Sequence, residues 1–120
     1  ITFFTSGALR KADLYLNQAD KHMQAVYLMV MQKKGKKELV EETLQKANSS
    51  FEQAIVKANE AKQQGINNSE FVKRLSVAPQ KYREIITELA LKAKKEDKHI
   101  FLNQRKKLDE MEKKVKQISQ

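Results

Sequence analysis

The sequence predicts an all-α domain, an antiparallel up-and-down bundle of four helices with a break or kink in the third near Pro79. Three observations predict it. Glycine (three) and proline (one) are scarce in 120 residues, which disfavours a sheet with many turns and favours long helices. Apolar residues recur in steps of three and four in four separate stretches, the spacing that brings i, i+3, i+4 and i+7 onto one helix face. The stretches are separated by short polar or glycine-bearing segments, and the chain is long enough to bury a core without disulfides or metal. The whole chain, 1–120, reads as one helical-bundle domain, with helices at about 6–33, 37–64, 69–94 (interrupted near 76–79) and 97–119.

The first stripe is Leu9, Ala12, Leu16, Ala19, Met23, Val26 and Val30. Thr5 or Ser6 is positioned to cap the helix start, a hydroxyl accepting from an otherwise unpaired backbone N–H. Its end is expected near Lys33 and Lys34, with Gly35 in the left-handed position after the last turn. The second stripe is Val40, Leu44, Ala47, Phe51, Ala54, Ala58 and Ala61, closed by Gly65. Four of these seven residues are alanine. Small inward residues let a neighbouring backbone come close, so the second helix should make the tightest helix contact of the bundle.

Gly65-Ile66-Asn67-Asn68 is the clearest turn, and Asn68 or Ser69 should cap the third helix. Its stripe is Phe71, Leu75, Ala78, Tyr82, Ile85 and Leu89, and it runs through Pro79. Proline removes one helical hydrogen bond and crowds the preceding turn. The expectation leans to a break, with Ser76 capping a new helix that carries proline in its first turn; a single kinked helix is the alternative. The fourth stripe is Phe101, Gln104, Leu108, Met111, Val115 and Ile118. Only the polar run from Lys92 to Lys98 separates it from the third. A turn there, with Asp97 as cap, is favoured over one helix of about forty residues, because three short connections let one chain bury all four stripes.

Composition narrows the function classes. The absence of cysteine excludes disulfides, thiolate chemistry and cysteine-based zinc sites, and leaves the compartment, cytoplasmic or extracytoplasmic, undetermined. No run approaches the length of an apolar membrane span. The chain opens at Ile1, so an upstream signal or anchor is an expectation. The net charge of +9 is uneven, +2 over residues 1–60 and +7 over residues 61–120. That asymmetry suits an acidic partner or a lysine-coated solvent face. The candidate basic patch is Lys92, Lys94, Lys95, Lys98, Arg105, Lys106 and Lys107, and Lys33, Lys34, Lys36 and Lys37 form another cluster.

Catalytic and metal chemistry find little footing. His22 and His99 are the only histidines, and Glu96-x-x-His99 has the spacing of a di-iron ligand pair without the second copy such a site needs. Glu38, Glu41 and Glu42 could hold Mg²⁺ with Glu84 and Glu88, but acidic residues in a first helical turn are what the helix dipole favours anyway. No phosphate-binding glycine loop or nucleophile elbow is present. No catalytic residue, metal ligand or cofactor is therefore assigned.

The most informative irregularity is Val26-Tyr27-Leu28-Met29-Val30-Met31, which is apolar right around the first helix for more than one turn. Such a belt must be covered, either by Phe3, Phe4 or the Pro79 region of the same chain, or by a second molecule. Val26, Tyr27, Leu28, Met29 and Met31 are accordingly the candidate interface. The leading functional expectation is a non-enzymatic bundle acting through protein–protein contact, with a protein partner or as a homodimer. A basic module for nucleic acid or an acidic surface is the second, and an extracytoplasmic sensor or ligand-binding bundle the third.

Overall fold

Each apolar stripe forms one helix in the computed structural model, which describes residues 7–119. Helix α1 spans Gly7–Met31, α2 Lys37–Gln63, α3 Ser69–Lys92 and α4 Lys98–Ser119, with a single 3₁₀ turn at Lys95–Asp97 before α4. The inward residues of the four stripes make one core, with Ile86 buried in place of the expected Ile85 and Val30 only half-buried; Phe51, Phe71, Phe101, Leu9, Met23 and Leu108 are among its largest fully buried side chains. Full burial of each such side chain contributes about 1.5–3 kcal/mol before conformational entropy is subtracted. The caps expected at Thr5 and Ser6, and the covering role considered for Phe3 and Phe4, lie outside the described residues.

The helices run up, down, up and down, but their lateral order is not their chain order. The α1–α2 pair has the most extensive contact, as the alanine-rich stripe predicts, followed by α3–α4. These two antiparallel hairpins then lie side by side, α1 against α3 and α2 against α4. Both of the latter pairs are parallel. Asp13, Asp20 and Tyr27 of α1 bond Arg74, Tyr82 and Glu88 of α3 in the same order, and Asn48 and Lys62 of α2 bond Gln104 and the Ile118 carbonyl of α4. A short loop thus need not make its two helices lateral neighbours. The Gly65–Asn68 connection crosses the bundle to a helix that α2 meets sparingly along its backbone.

Polar groups fix how the hairpins register. Gln104 is a member of the fourth inward stripe and is only 2% exposed. Its amide is satisfied reciprocally by Asn48, at 2.9 Å from Asn48 Nδ2 to Gln104 Oε1 and 2.6 Å from Gln104 Nε2 to Asn48 Oδ1. A sliding of α4 against α2 would leave both buried amides unpaired, so the pair selects one register. Between α1 and α3, the buried Tyr82 hydroxyl donates to Asp20, and its ring meets Phe51 edge-on at 5.8 Å. Between α3 and α4, Arg83 spans Asp109 at 2.8 Å and Glu112 at 3.2 Å.

Two local expectations are corrected. Helix α3 continues without a break from Ser69 to Lys92 with Pro79 inside it. Ser76 does not cap a new helix; its hydroxyl donates to the Val72 carbonyl one turn back at 2.7 Å. Pro79 is fully buried, and its packing offsets part of the roughly 3 kcal/mol that an internal proline costs. The second correction concerns Gly35. The left-handed residue after α1 is Lys33, with φ 55°, and not the glycine. The Lys33 N–H bonds the Val30 carbonyl and the Lys34 N–H the Met29 carbonyl, a Schellman closure with lysine in glycine's usual place. Gly35 is required for space: a Cβ there would lie 2.7 Å from Met29 Cβ.

Candidate loop-end docking site

The parallel arrangement of α1 and α3 has a direct consequence. The end of α1, the start of α2, the end of α3 and the start of α4 all gather at one end of the molecule. The apolar belt and two of the lysine clusters, far apart in sequence, therefore meet there.

Between the α1–α2 and α3–α4 connections lies a cleft of about 730 Å³. Met29, Val30, Met31, Val40, Ala93, Ile100 and Phe101 supply its apolar lining, and Lys33, Lys36, Lys37, Lys92 and Lys94 line it from both connections, with Glu96 and Asp97 on one side. Met29 sits over Gly35, and the bulk of its side chain explains why the connection must pass without a Cβ. Val30 and Met31 are half-buried against the core, as is Met29. Leu28 is 45% exposed beside the cleft, and Leu91, in the last turn of α3 at the same end, is 76% exposed.

The candidate interface residues thus divide. Val26 is fully buried and belongs to the core. Tyr27 is half-buried, and its hydroxyl donates to Glu88 at 3.4 Å, tying α1 to α3. Leu28, Met29 and Met31 remain at the surface or in the cleft. Pro79 does not cover the belt. It falls at mid-height of α3, near the level set by the Arg74–Asp13 and Tyr82–Asp20 bonds, well below the last turn of α1.

The basic patch divides as well. Lys92, Lys94, Lys95 and Lys98 join Lys33, Lys34, Lys36 and Lys37 at the loop end, all exposed. Over residues 32–38 and 92–98 there are eight lysines against Glu38, Glu96 and Asp97, a net charge of +5 in fourteen residues. Among the described residues none of these eight lysines forms an ion pair. Cations that do pair, among them Lys46, Lys57, Arg74, Arg83, Lys114 and Lys116, lie along the helices instead. Arg105 and Lys106 lie further down α4, beside Leu102 and Asp109, while Lys107 turns toward Glu41 and Asn48 of α2. They do not extend the loop-end cluster as one surface. Sequence reasoning located both the belt and the clusters but missed their convergence, because it turns on which helices are parallel neighbours.

The remaining candidates do not assemble into a site. His99 is exposed, its Nδ1 2.9 Å from the Glu96 carbonyl oxygen, and no group of three or more metal-ligating side chains occurs among the described residues. Glu41 and Glu42 sit on α2, and Glu42 pairs with Lys46. Glu84 and Glu88 sit on α3, diagonally across the bundle, and Glu88 is engaged by Tyr27. The strongest electrostatic perturbation belongs to Tyr82, whose phenol is held neutral far above the ordinary range by burial and by the adjacent Asp20 carboxylate. It serves the α1–α3 seam. No helix among the described residues is long and apolar enough to cross a membrane.

Comparison of this chain with protein-family models, with curated proteins and with solved structures finds no match to any of them.

Proposed function

We propose that this chain is a non-enzymatic helical module that works by protein contact, and that its docking surface is the loop end of the bundle. One observation carries the reading: an apolar cleft stays open between the two connections, beside an exposed Leu28, where a self-sufficient fold would bring side chains in to fill it. The occupant is a second protein chain, either another copy or a different partner.

Photo-crosslinking from Leu28 and Met31 tests this, with Leu14 and Val56, exposed elsewhere on α1 and α2, as controls. Crosslinks to a second chain should form from the first two positions and not from the controls. Where the occupant is another copy, sedimentation should show association of the wild type and not of the Leu28→Lys, Met31→Lys double variant. A monomer in both, with no loop-end crosslink, would count against the reading.

The eight unpaired lysines favour a second reading, a basic module for nucleic acid. Here binding rests on counterion release and is strongest at low salt. The loop-end lining offers no open aromatic face for base stacking, since Phe101 is 2% exposed, and no arginine. Protein contact therefore uses more of what the site contains.

A further inference from the structure

We infer that the partner of the loop end is an acidic amphipathic helix, whose apolar stripe enters the cleft while its carboxylates meet the surrounding lysines. The inference rests on the protein-contact reading above and names the chemistry of the partner.

Three features of the cleft select this occupant. Its lining is largely apolar and concave, so it needs apolar side chains projecting into it, and a purely ionic partner leaves the half-buried Met29, Met31 and Ala93 uncovered. The lysines stand on both sides, from Lys33, Lys36 and Lys37 on one connection to Lys92 and Lys94 on the other. Glu96 and Asp97 share the second side, but with Lys95 and Lys98 that connection still carries four lysines against two acids, so a partner lying between the two meets net positive charge on both flanks, more of it on the α1–α2 side. An apolar stripe bordered by carboxylates on both sides is the complement of that pattern.

The third feature is the absence of a sheet edge. No strand occurs among the described residues, so an extended peptide has no ladder to join. A helix satisfies its own backbone and presents only side chains, the mode in which i, i+3, i+4 and i+7 residues act as anchors. Met29 and Met31 suit that role, because unbranched thioether side chains adapt to an incoming surface.

The surface does not match a bilayer as well. Apolar groups that enter a membrane must protrude, whereas the cleft lining lies recessed among lysines; the leucines that do project at this end, Leu28, Leu39 and Leu91, stand on three different helices beside it.

The test uses the whole chain and a fluorescent peptide of about eighteen residues, five helical turns, with leucine on one stripe and glutamate and glutamine elsewhere. A scrambled peptide of the same composition and a single-stranded DNA of equal charge are the comparison probes. Fluorescence anisotropy at low ionic strength should show the amphipathic peptide binding about tenfold more tightly than the scrambled one. Reversing two cleft lysines (Lys36→Glu with Lys94→Glu) and polarising the lining (Val30→Ser with Met31→Ser) should each weaken binding by about tenfold or more. Circular dichroism verifies that each variant retains its helix content. Lys114→Glu, on the outer face of α4 where it pairs with Glu52, should leave binding unchanged.

Equal binding of the two peptides, insensitivity to the lining variant, or tighter binding of the DNA would overturn the inference. So would failure of the amphipathic peptide to bind. In that case loop-end crosslinks from Leu28 and Met31 would show that protein contact stands and only the partner chemistry is wrong, while their absence would remove both.

Discussion

The two ends of this bundle solve the same problem, how to stop one helix and start another, with different chemistry. At the Gly65 end, glycine takes the left-handed position after α2 with φ 77°. Ile66 N–H closes onto the Ala61 carbonyl and Gly65 N–H onto that of Lys62. Asn68 Nδ2 then donates to the Ala58 carbonyl at 2.8 Å, Asn67 Oδ1 accepts from the Ser69 N–H at 3.0 Å, and Lys62 Nζ reaches the Ile118 carbonyl at the end of α4 at 2.9 Å. The groove left there, between Lys62, Val72 and Ile118, is about 410 Å³.

At the other end the same Schellman bonding is built on a lysine in a conformation that L-residues resist. The opposing connection turns through 3₁₀ geometry; a side-chain cap is missing there and equally at the start of α3, where the expected cap by Asn68 does not form. Five of the eight loop-end lysines line a larger apolar opening, together with Glu96 and Asp97. The left-handed lysine costs stability that the Gly65 end avoids with glycine, and the clustered lysines repel one another. Concentrated departures from local stability rules mark the surfaces where a protein does something other than hold itself together.

The largest effects should separate core from cleft. Phe71→Ala, which empties a fully buried site one turn into α3 at the Gly65 end, should cost about 3–5 kcal/mol in denaturant unfolding. Met31→Ala, at the half-covered cleft, should cost no more than about 1 kcal/mol. A Met31 effect as large as that of Phe71 would mean that the cleft is closed in solution.

Substitutions at the two left-handed positions should have opposite signs. Gly65→Ala should destabilise by about 1 kcal/mol, whereas Lys33→Gly should stabilise by roughly the same amount, because only glycine adopts that backbone without a Cβ clash. Gly35→Ala should destabilise although Gly35 has no positive φ, since its methyl group would be forced onto Met29. Calorimetric melting of the three variants distinguishes the causes: the first two act through φ, the third through packing.

The seam between the hairpins supplies a reference that belongs to neither end. The folded state holds the Tyr82 pKa above its unfolded value of 10.0, so its contribution is complete below pH 10 and is lost as pH rises beyond it, when only the unfolded chain ionises. Wild-type stability should fall with a slope of about 1.4 kcal/mol per pH unit in excess of that of Tyr82→Phe. Alkaline unfolding with the same slope in both proteins would remove Tyr82 from that role.

The smallest effect concerns the lysines. Added salt should raise the melting temperature of the wild type slightly more than that of a Lys94→Gln, Lys95→Gln variant, because screening relieves repulsion that the variant has already reduced. Equal salt responses would indicate that the cluster is too well solvated to oppose folding.

Much of this architecture was legible in the sequence, and the misreadings have local causes. Apolar spacing located four helices, because the 3.6-residue period acts within each segment regardless of what packs against it. Alanines at 47, 54, 58 and 61 foretold that α2 would make the most extensive helix contact, without naming α1 as its partner. Spacing assigns each helix a face but not a neighbour, so the parallel α1–α3 and α2–α4 pairs could not be read from it. Gly35 was legible as special but for the wrong reason, since its constraint comes from the Met29 side chain and not from its own φ. The expected break at Pro79 fails because tertiary burial and the Ser76 back-bond act where local rules see only a missing N–H. The belt at 26–31 stood out at once, yet the opening beside it depended on bringing Lys92–Phe101 to the same end.

Whether the loop end is the docking surface can be read from the protein's own four methionines. Met23 and Met111 are buried in the core, while Met29 and Met31 line the cleft. In a methyl NMR titration of the full chain with the acidic amphipathic peptide, the Met29 and Met31 signals should shift or broaden while those of Met23 and Met111 stay in place. Unmoved Met29 and Met31 signals, or equal changes at all four, would contradict the account.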